Sequence, residues 1–205
     1  MGGIVKTRGR PKTFEVESVL DKIVHLFWQH GYDHVSTEDI CQLTGLSKPS
    51  LYLEFGNKEE LFISCVKYYN ENYASKIVML MDDYLDPVEG VEKMLYKAKN
   101  QFTDPDFPSG CLALTGLAEI AGKSQKIDSL IRQVQSSFIE VIQDYFDRTL
   151  KRSTKNHRTA AEYVVGQLYA LAVFSKTNSD FFDLDKFVKI ASFTTGQILG
   201  KKIKS

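Results

Sequence analysis

The 205-residue chain is long enough for one ordinary domain or two small ones, and its 43% hydrophobic and 25% charged residues exclude a largely disordered protein. The formal net charge of +0 argues against a surface coated all over with nucleic acid. An odd number of cysteines, no apolar run that spans a bilayer and no apolar signal core predict a cytoplasmic protein in a reducing compartment.

The chain opens with a short basic arm, predicted over residues 1–13. Its first twelve residues carry four basic side chains and no acidic one, namely Lys6, Arg8, Arg10 and Lys12. Arg8 and Arg10 flank a glycine, a form that fits a narrow minor groove, where negative potential is concentrated. A tail that meets only solvent is the alternative interpretation.

The residues after the basic arm carry the signals of two helices. Apolar residues from Val16 to Phe27 recur at three- and four-residue steps, which predicts a first helix that ends at Gly31. Ser36 and Asp39 have the spacing of a capping box, in which each residue bonds the backbone amide of the other, and this predicts a short second helix.

A sharp turn is predicted between the second helix and a third over about residues 48–55. Gly45 permits a left-handed turn, and Ser47 can cap the next helix. The apolar residues expected to pack the two helices together are Ile40, Leu43, Leu46 and Leu51. This layout over residues 14–57 is that of a DNA-binding helix-turn-helix, although a helical hairpin inside an ordinary bundle remains the alternative.

The outer face of the third helix carries the candidate DNA contacts. The exposed amino end offers amide donors and a positive dipole, to which Lys48 adds a charge. Hydroxyl donors come from Ser47, Ser50 and Tyr52. Lys58, where a capping-box pattern opens a fourth helix, could hold a further phosphate.

In the remaining residues, 58–205, the apolar pattern predicts longer helices that are separated by proline-containing and polar turns. Their expected ranges are about 58–82, 87–101, 109–122, 125–151, 157–177 and 183–202. No period-two alternation persists, so the predicted fold class is all-α, with a small N-terminal domain joined directly to a larger helical bundle.

Several motifs together resemble the TetR family of bacterial transcriptional regulators. They are Arg8-Gly9-Arg10-Pro11, Leu26-Phe27-Trp28, Lys48-Pro49-Ser50-Leu51-Tyr52 and Phe55-Gly56-Asn57-Lys58-Glu59-Glu60-Leu61-Phe62. The RGRP arm and Gly110-Cys111-Leu112 are similar to a branch that includes regulators responding to reactive electrophiles.

The resemblance implies a repressor that binds a palindromic operator as a homodimer and is released by a small-molecule or electrophile inducer. It makes residues 14–57 the helix-turn-helix DNA-binding domain and residues 58–205 the helical effector-binding and dimerisation domain. The DNA contacts that it implies fall on Thr37, Ser47, Lys48, Pro49, Ser50, Tyr52 and Lys58. It also implies that the last two long helices pair with their copies, with small residues such as Ala170 and Ala191 at the contact. Leu53 and Glu54 depart from the neutral polar residues of many relatives.

Ligand contacts are predicted in the second domain. Cys111 is expected near a helix start, where the dipole would lower the thiol pKa and make it a sensor, with a small buried core residue as the alternative. Phe107, Tyr145 and Tyr169 are candidates to line an apolar cavity. The sequence does not identify the inducer.

No enzyme, cofactor or metal is predicted. His30 and His34 have the spacing of metal ligands, but Gly31 breaks the helix that would align them and no cluster completes the site. Phosphate-binding and dinucleotide-binding motifs are also missing from the sequence. The alternatives to a regulator are a helical protein-interaction module or a thiol-based sensor that does not bind DNA.

Overall fold

The computed structural model describes residues 15–152, 154–177 and 182–201, and all regular structure in these ranges is helical. The first four helices are α1 (Val16–His30), α2 (Thr37–Thr44), α3 (Lys48–Phe55) and α4 (Lys58–Tyr69). A π-helical turn (Asn70–Ala74), α5 (Ser75–Met79) and a 3₁₀ turn (Leu80–Asp83) continue directly from α4. The remaining elements are α6 (Pro87–Phe102), a second π-helical turn (Leu112–Gly116), α7 (Leu117–Glu119), α8 (Gln125–Leu150), α9 (Lys155–Lys176) and α10 (Leu184–Ile198).

The predicted all-α architecture is confirmed for the described residues, but the helix expected over 109–122 is wrong. Cys111 is extended, with φ of −134° and ψ of 123°, and the chain then makes one π-helical turn and the three-residue α7. Gly110 and Gly122 lie at the two ends of this segment with φ of +81° and +82°. Such angles are left-handed, so an α-helix cannot continue through either residue.

Aromatic packing holds the N-terminal helices together. Phe27 of α1 and Phe62 of α4 are both buried, and their rings meet edge to face with 5.1 Å between centroids. Tyr32 meets Phe62 in the same way at 5.0 Å. Burying one such phenylalanine stabilises the fold by about 1.5–3 kcal/mol, so the beginning of α4 contributes substantially to this core. The domain boundary predicted at residue 57 stays a prediction.

The second domain is a bundle in which α6 and α10 pack against each other and α9 contacts both of them as well as α8. Its core is continuous with that of the N-terminal helices. None of the described helices has both the length and the apolar character required to cross a bilayer.

Several polar contacts join the N-terminal helices to later parts of the chain. The Trp28 indole N–H of α1 donates to the Gly110 carbonyl at 3.2 Å. Lys126 Nζ of α8 pairs with Glu60 of α4 at 3.0 Å, and Lys123 pairs with Asp33 in the α1–α2 loop. The orientation of α1 is therefore tied to the loop that precedes the second π-helical turn.

Candidate nucleic-acid interface

Both helices of the predicted helix-turn-helix begin at side-chain caps. Ser36 Oγ accepts from the Asp39 amide at 3.1 Å, while Asp39 Oδ2 accepts from the Ser36 amide at 2.8 Å, which confirms the capping box. Ser47 Oγ accepts from the Ser50 amide at 3.3 Å at the start of α3. These caps satisfy amides that a helix amino end leaves open, so the sequence defines where α2 and α3 begin.

Gly45 makes the turn between α2 and α3. Its φ of 73° and ψ of 7° are left-handed, and its amide donates to the Cys41 carbonyl at 2.8 Å. A Cβ added here would meet nothing within 4 Å, so the requirement for glycine comes from the backbone angle and not from crowding.

Buried apolar residues orient α3 against the domain. Ile40 and Leu51 are almost fully buried, Phe55 is buried at the end of α3, and Leu46 is half-buried. Leu43 was predicted to pack between the two helices, and this prediction is wrong because 42% of the residue is exposed. Ile40 and Leu51 thus hold α3 while its other face stays outside.

The outer face of α3 carries the side chains that the sequence predicted. Ser47, Lys48, Pro49, Ser50 and Tyr52 are all exposed, and they crowd the first turn and a half of the helix. Thr37 of α2 is half-buried, and its hydroxyl donates to Glu38 Oε2 at 3.0 Å. The structure therefore brings these predicted contacts to neighbouring helix amino ends.

Leu53 follows these residues on α3, and 90% of the residue is exposed. The sequence marked it only as a departure from the pattern of relatives. An apolar side chain presented so fully to solvent beside donors is suited to a hydrophobic contact, such as the methyl group of thymine.

The charge of Lys48 is already paired. Its Nζ donates to Glu38 Oε1 across the α2–α3 turn, and this hydrogen bond raises the Lys48 pKa and lowers the Glu38 pKa. Both side chains are largely exposed, so water and salt screen the pair. Sequence reasoning missed Glu38, although an acidic residue in the first turn of α2 was visible.

Lys58 lies back against the domain. Its Nζ sits 4.4 Å from the centroid of the Tyr32 ring, and partial burial lowers its pKa. It is positioned by a cation–π contact at the capped start of α4. Arg8 and Arg10 of the predicted arm lie outside the described residues.

The four predicted ligand contacts of the second domain lie at different places in the described structure. Phe107 stacks on His25 of α1 at 5.9 Å between centroids. Tyr145 is buried, donates to the Tyr84 carbonyl at 3.1 Å, and has its pKa raised to about 12 by burial. Tyr169 lines a groove of about 510 Å³ between α7 and α9.

Cys111 is buried and accepts a hydrogen bond from the Tyr69 hydroxyl at 3.3 Å. Burial raises its pKa, so the predicted lowering is wrong, because the residue precedes an irregular turn inside the core and not an exposed helix start. Packing is the role that this geometry favours, while a sensing role stays a prediction. Cys65 is buried and Cys41 is half-buried.

Two further cavities lie in the helical bundle. One of about 260 Å³ opens between the first π-helical turn, α5 and α8. A smaller one of about 20 Å³ lies beside Cys111 and is also lined by Tyr69, Phe102 and Phe138. No group of histidine, cysteine or acidic residues suited to a metal occurs in the part of the chain that the structure describes, and His30 and His34 are both exposed.

Comparison with known proteins relates the N-terminal part of this chain to a family of regulators. Residues 19–65 match the model described as bacterial regulatory proteins, tetR family. The chain is 35% identical over 130 residues to the HTH-type transcriptional repressor ComR of Escherichia coli K12, an alignment covering 63% of this chain and 62% of ComR. It is 27% identical over 111 residues to the regulator YezE of Bacillus subtilis 168, covering 54% and 57% of the two chains.

The chain thus spans less than two thirds of the length of these curated relatives. Among solved structures, a cysteine-substituted TetR-family regulator CifR complexed with 26-base-pair operator DNA superposes with a TM-score of 0.81 at 23% identity, covering 90% of this chain and 98% of that one. That likeness extends the shared fold from the N-terminal domain to the helical bundle. Residues 19–65, with the capped helix-turn-helix, thus match the tetR family of bacterial regulatory proteins, and the bundle behind them shares the fold of a solved TetR-family regulator.

Proposed function

We propose that this protein is a DNA-binding transcriptional repressor whose α3 enters the major groove. The observation that carries the proposal is the exposed first turn of α3, where Ser47, Lys48, Ser50 and Tyr52 lie together on a helix anchored by Leu51. Helix amides and hydroxyls contact phosphates, and the side chains that follow reach base edges. The relative ComR is named a repressor, and the CifR structure contains operator DNA, which supports this function.

A homodimer is part of the proposal. Val173 of α9 and Ile190 and Phe193 of α10 are large apolar residues left exposed on the described surface. A second copy that covers them about a two-fold axis would present two α3 helices to successive half-sites of a palindrome, about 34–36 Å or a multiple apart. The bundle would also bind the small molecule that releases the repressor from its operator.

Operator binding is tested by a mobility shift with the DNA upstream of the protein's own coding sequence, at a stated salt concentration. Replacing Lys48 and Tyr52 together by alanine should weaken binding at least about 10-fold, because both a phosphate contact and a base-edge contact are removed. Lys93→Ala is the matched control, since Lys93 is an exposed lysine on α6 and should bind as the unchanged protein does.

Equal binding by the double variant and the control would show that α3 is not the reading helix. A protein that shifts neither its own upstream DNA nor random duplex at low salt would favour the helical protein-interaction module instead.

A further inference from the structure

Leu53 lies at the centre of the outer face of α3. The two buried residues of this helix, Leu51 and Phe55, are four residues apart and therefore share one face. Leu53 is midway between them in the sequence, which places it on the opposite side of the helix from both, because each residue turns the helix by about 100°. Its exposure agrees with this position, since 90% of Leu53 but only 45% of Tyr52 is exposed. The face that α3 presents outward is thus centred on an apolar side chain.

Pro49 continues this apolar line toward the start of the helix. It precedes Leu53 by four residues, so the two side chains share a face and lie about 6 Å apart along the helix axis. Pro49 is exposed, and it has no amide hydrogen that could contact a phosphate. Glu54 is half-buried and lies about a quarter turn from Leu53. The centre of the outer face is therefore an uncharged apolar strip, formed by Pro49 and Leu53.

Hydrogen-bond donors flank the apolar strip. The Ser47 and Ser50 hydroxyl oxygens lie 2.9 Å apart on one side of it. Lys48 and Tyr52, both exposed, lie on the other side. A helix that is held by donors on both flanks contacts the phosphates on the two sides of a groove, and the middle of its outer face meets the base edges. The strip is the part of α3 that reaches the floor of the groove.

The chemistry of the strip selects among the base edges. In the major groove these edges present acceptors, amino donors and one apolar group, the 5-methyl group of thymine. A leucine side chain gains from leaving water against that methyl group. Against the cytosine amino group or a guanine acceptor, it would displace water without offering a hydrogen bond in return. An apolar centre flanked by donors therefore favours thymine over the other bases.

We propose that Leu53 is a specificity-determining residue that contacts the 5-methyl group of one thymine in each operator half-site. This inference rests on the proposed function, because it requires α3 to lie in the major groove. It adds the identity of a base and the kind of contact that selects it. Because the contact is apolar, removal of the methyl group alone weakens binding even though every hydrogen-bonding group of the base pair is kept.

The test starts from a duplex that the full-length protein selects from a library of random sequences. Each thymine of that duplex is then replaced singly by 2′-deoxyuridine, which lacks only the methyl group. Fluorescence anisotropy should show about 4-fold weaker binding for at least one such replacement in each half-site, the loss expected when one methyl group is withdrawn from an apolar contact. Replacements outside the half-sites should leave the affinity unchanged.

A leucine variant identifies the residue that contacts the methyl group. Leu53→Ala shortens the side chain, so at the thymine contacted by Leu53 it should bind the thymine and uracil duplexes equally. Leu53 is 90% exposed, so the midpoint of urea unfolding should stay unchanged. Leu85→Ala is the matched control, because Leu85 is 95% exposed in the turn before α6, and it should keep the 4-fold preference for thymine.

Three outcomes overturn this proposal while the protein still binds its selected duplex, so that the proposed function stands. In the first, no deoxyuridine replacement weakens binding. In the second, Leu53→Ala keeps the full loss at every sensitive thymine, which assigns the methyl contacts to other residues. In the third, Leu53→Ala weakens binding to all duplexes equally and no replacement matters, which places Leu53 against the sugar-phosphate backbone. Failure to select any duplex would overturn both proposals together.

Discussion

At the scale of single residues, Glu38 and Lys48 form an exposed ion pair on the proposed DNA-contacting surface. In the protein without DNA, the positive charge of Lys48 is therefore partly neutralised. A phosphate that contacts Lys48 has to share the ammonium group with the Glu38 carboxylate, and that carboxylate repels the duplex. Residues 1–62 carry seven lysines and arginines against nine acids, so one carboxylate beside the reading helix is a large share of the local charge.

Glu38→Gln should therefore increase DNA affinity several-fold at low salt. The plot of log affinity against log salt should become steeper by up to about 0.9, because Lys48 is free to release one more counterion. The measurement is fluorescence anisotropy on a labelled duplex over a salt series. Glu140→Gln removes the same charge from an exposed position on α8, and equal gains in both variants would refute a local role for Glu38.

At the scale of elements, the α2–α3 turn depends on a backbone angle that few residues adopt. Gly45 is left-handed in open space, so a side chain there costs conformational energy without creating a clash. The caps on either side, Ser36 and Ser47, define the helix starts, and the angle at Gly45 then decides how α3 leaves α2.

Gly45→Ala should lower the free energy of unfolding by about 1–2 kcal/mol, the cost of left-handed backbone for a residue with a Cβ. Gly45→Asn should cost less, since asparagine tolerates this region through local hydrogen bonding. Urea unfolding followed by circular dichroism measures both. Equal losses for alanine and asparagine would indicate that the angle is not the cause.

At the scale of the whole molecule, the apolar surface that is exposed for a second copy is not the surface predicted from the small residues of the last two helices. Ala191 was predicted to face a partner, and this is wrong, because it is buried within the chain, where α10 packs on α6 and α9. Ala170 is half-buried on α9. The exposed apolar residues of α10, Ile190 and Phe193, are the better candidates for the proposed dimer contact.

Phe193→Arg should convert the dimer to monomer and reduce operator affinity at least about 10-fold, because two linked reading helices bind far better than one. Analytical ultracentrifugation and the mobility shift measure the two effects. Leu85→Arg is the matched control, since Leu85 is 95% exposed in the turn before α6 and belongs to neither helix. An intact Phe193→Arg dimer with normal affinity would contradict the proposed interface.

Local signals in the sequence determined the helix-turn-helix. Capping boxes at Ser36 and Asn57, the turn at Gly45 and the donors around Lys48 each act within a few residues, so spacing alone predicted where helices begin and what α3 presents. The family resemblance supplied the expectation of a regulator.

Only the tertiary structure decided which groups are buried and which remain unpaired. Cys111 lies in the core against Tyr69, Glu38 reaches Lys48 across the turn, and Asn70 has no described partner for its Oδ1. These facts depend on elements distant in the chain, on irregular π-helical turns and on cavities between helices. A periodic pattern records which face of a helix is apolar, but not what the opposing element places against it.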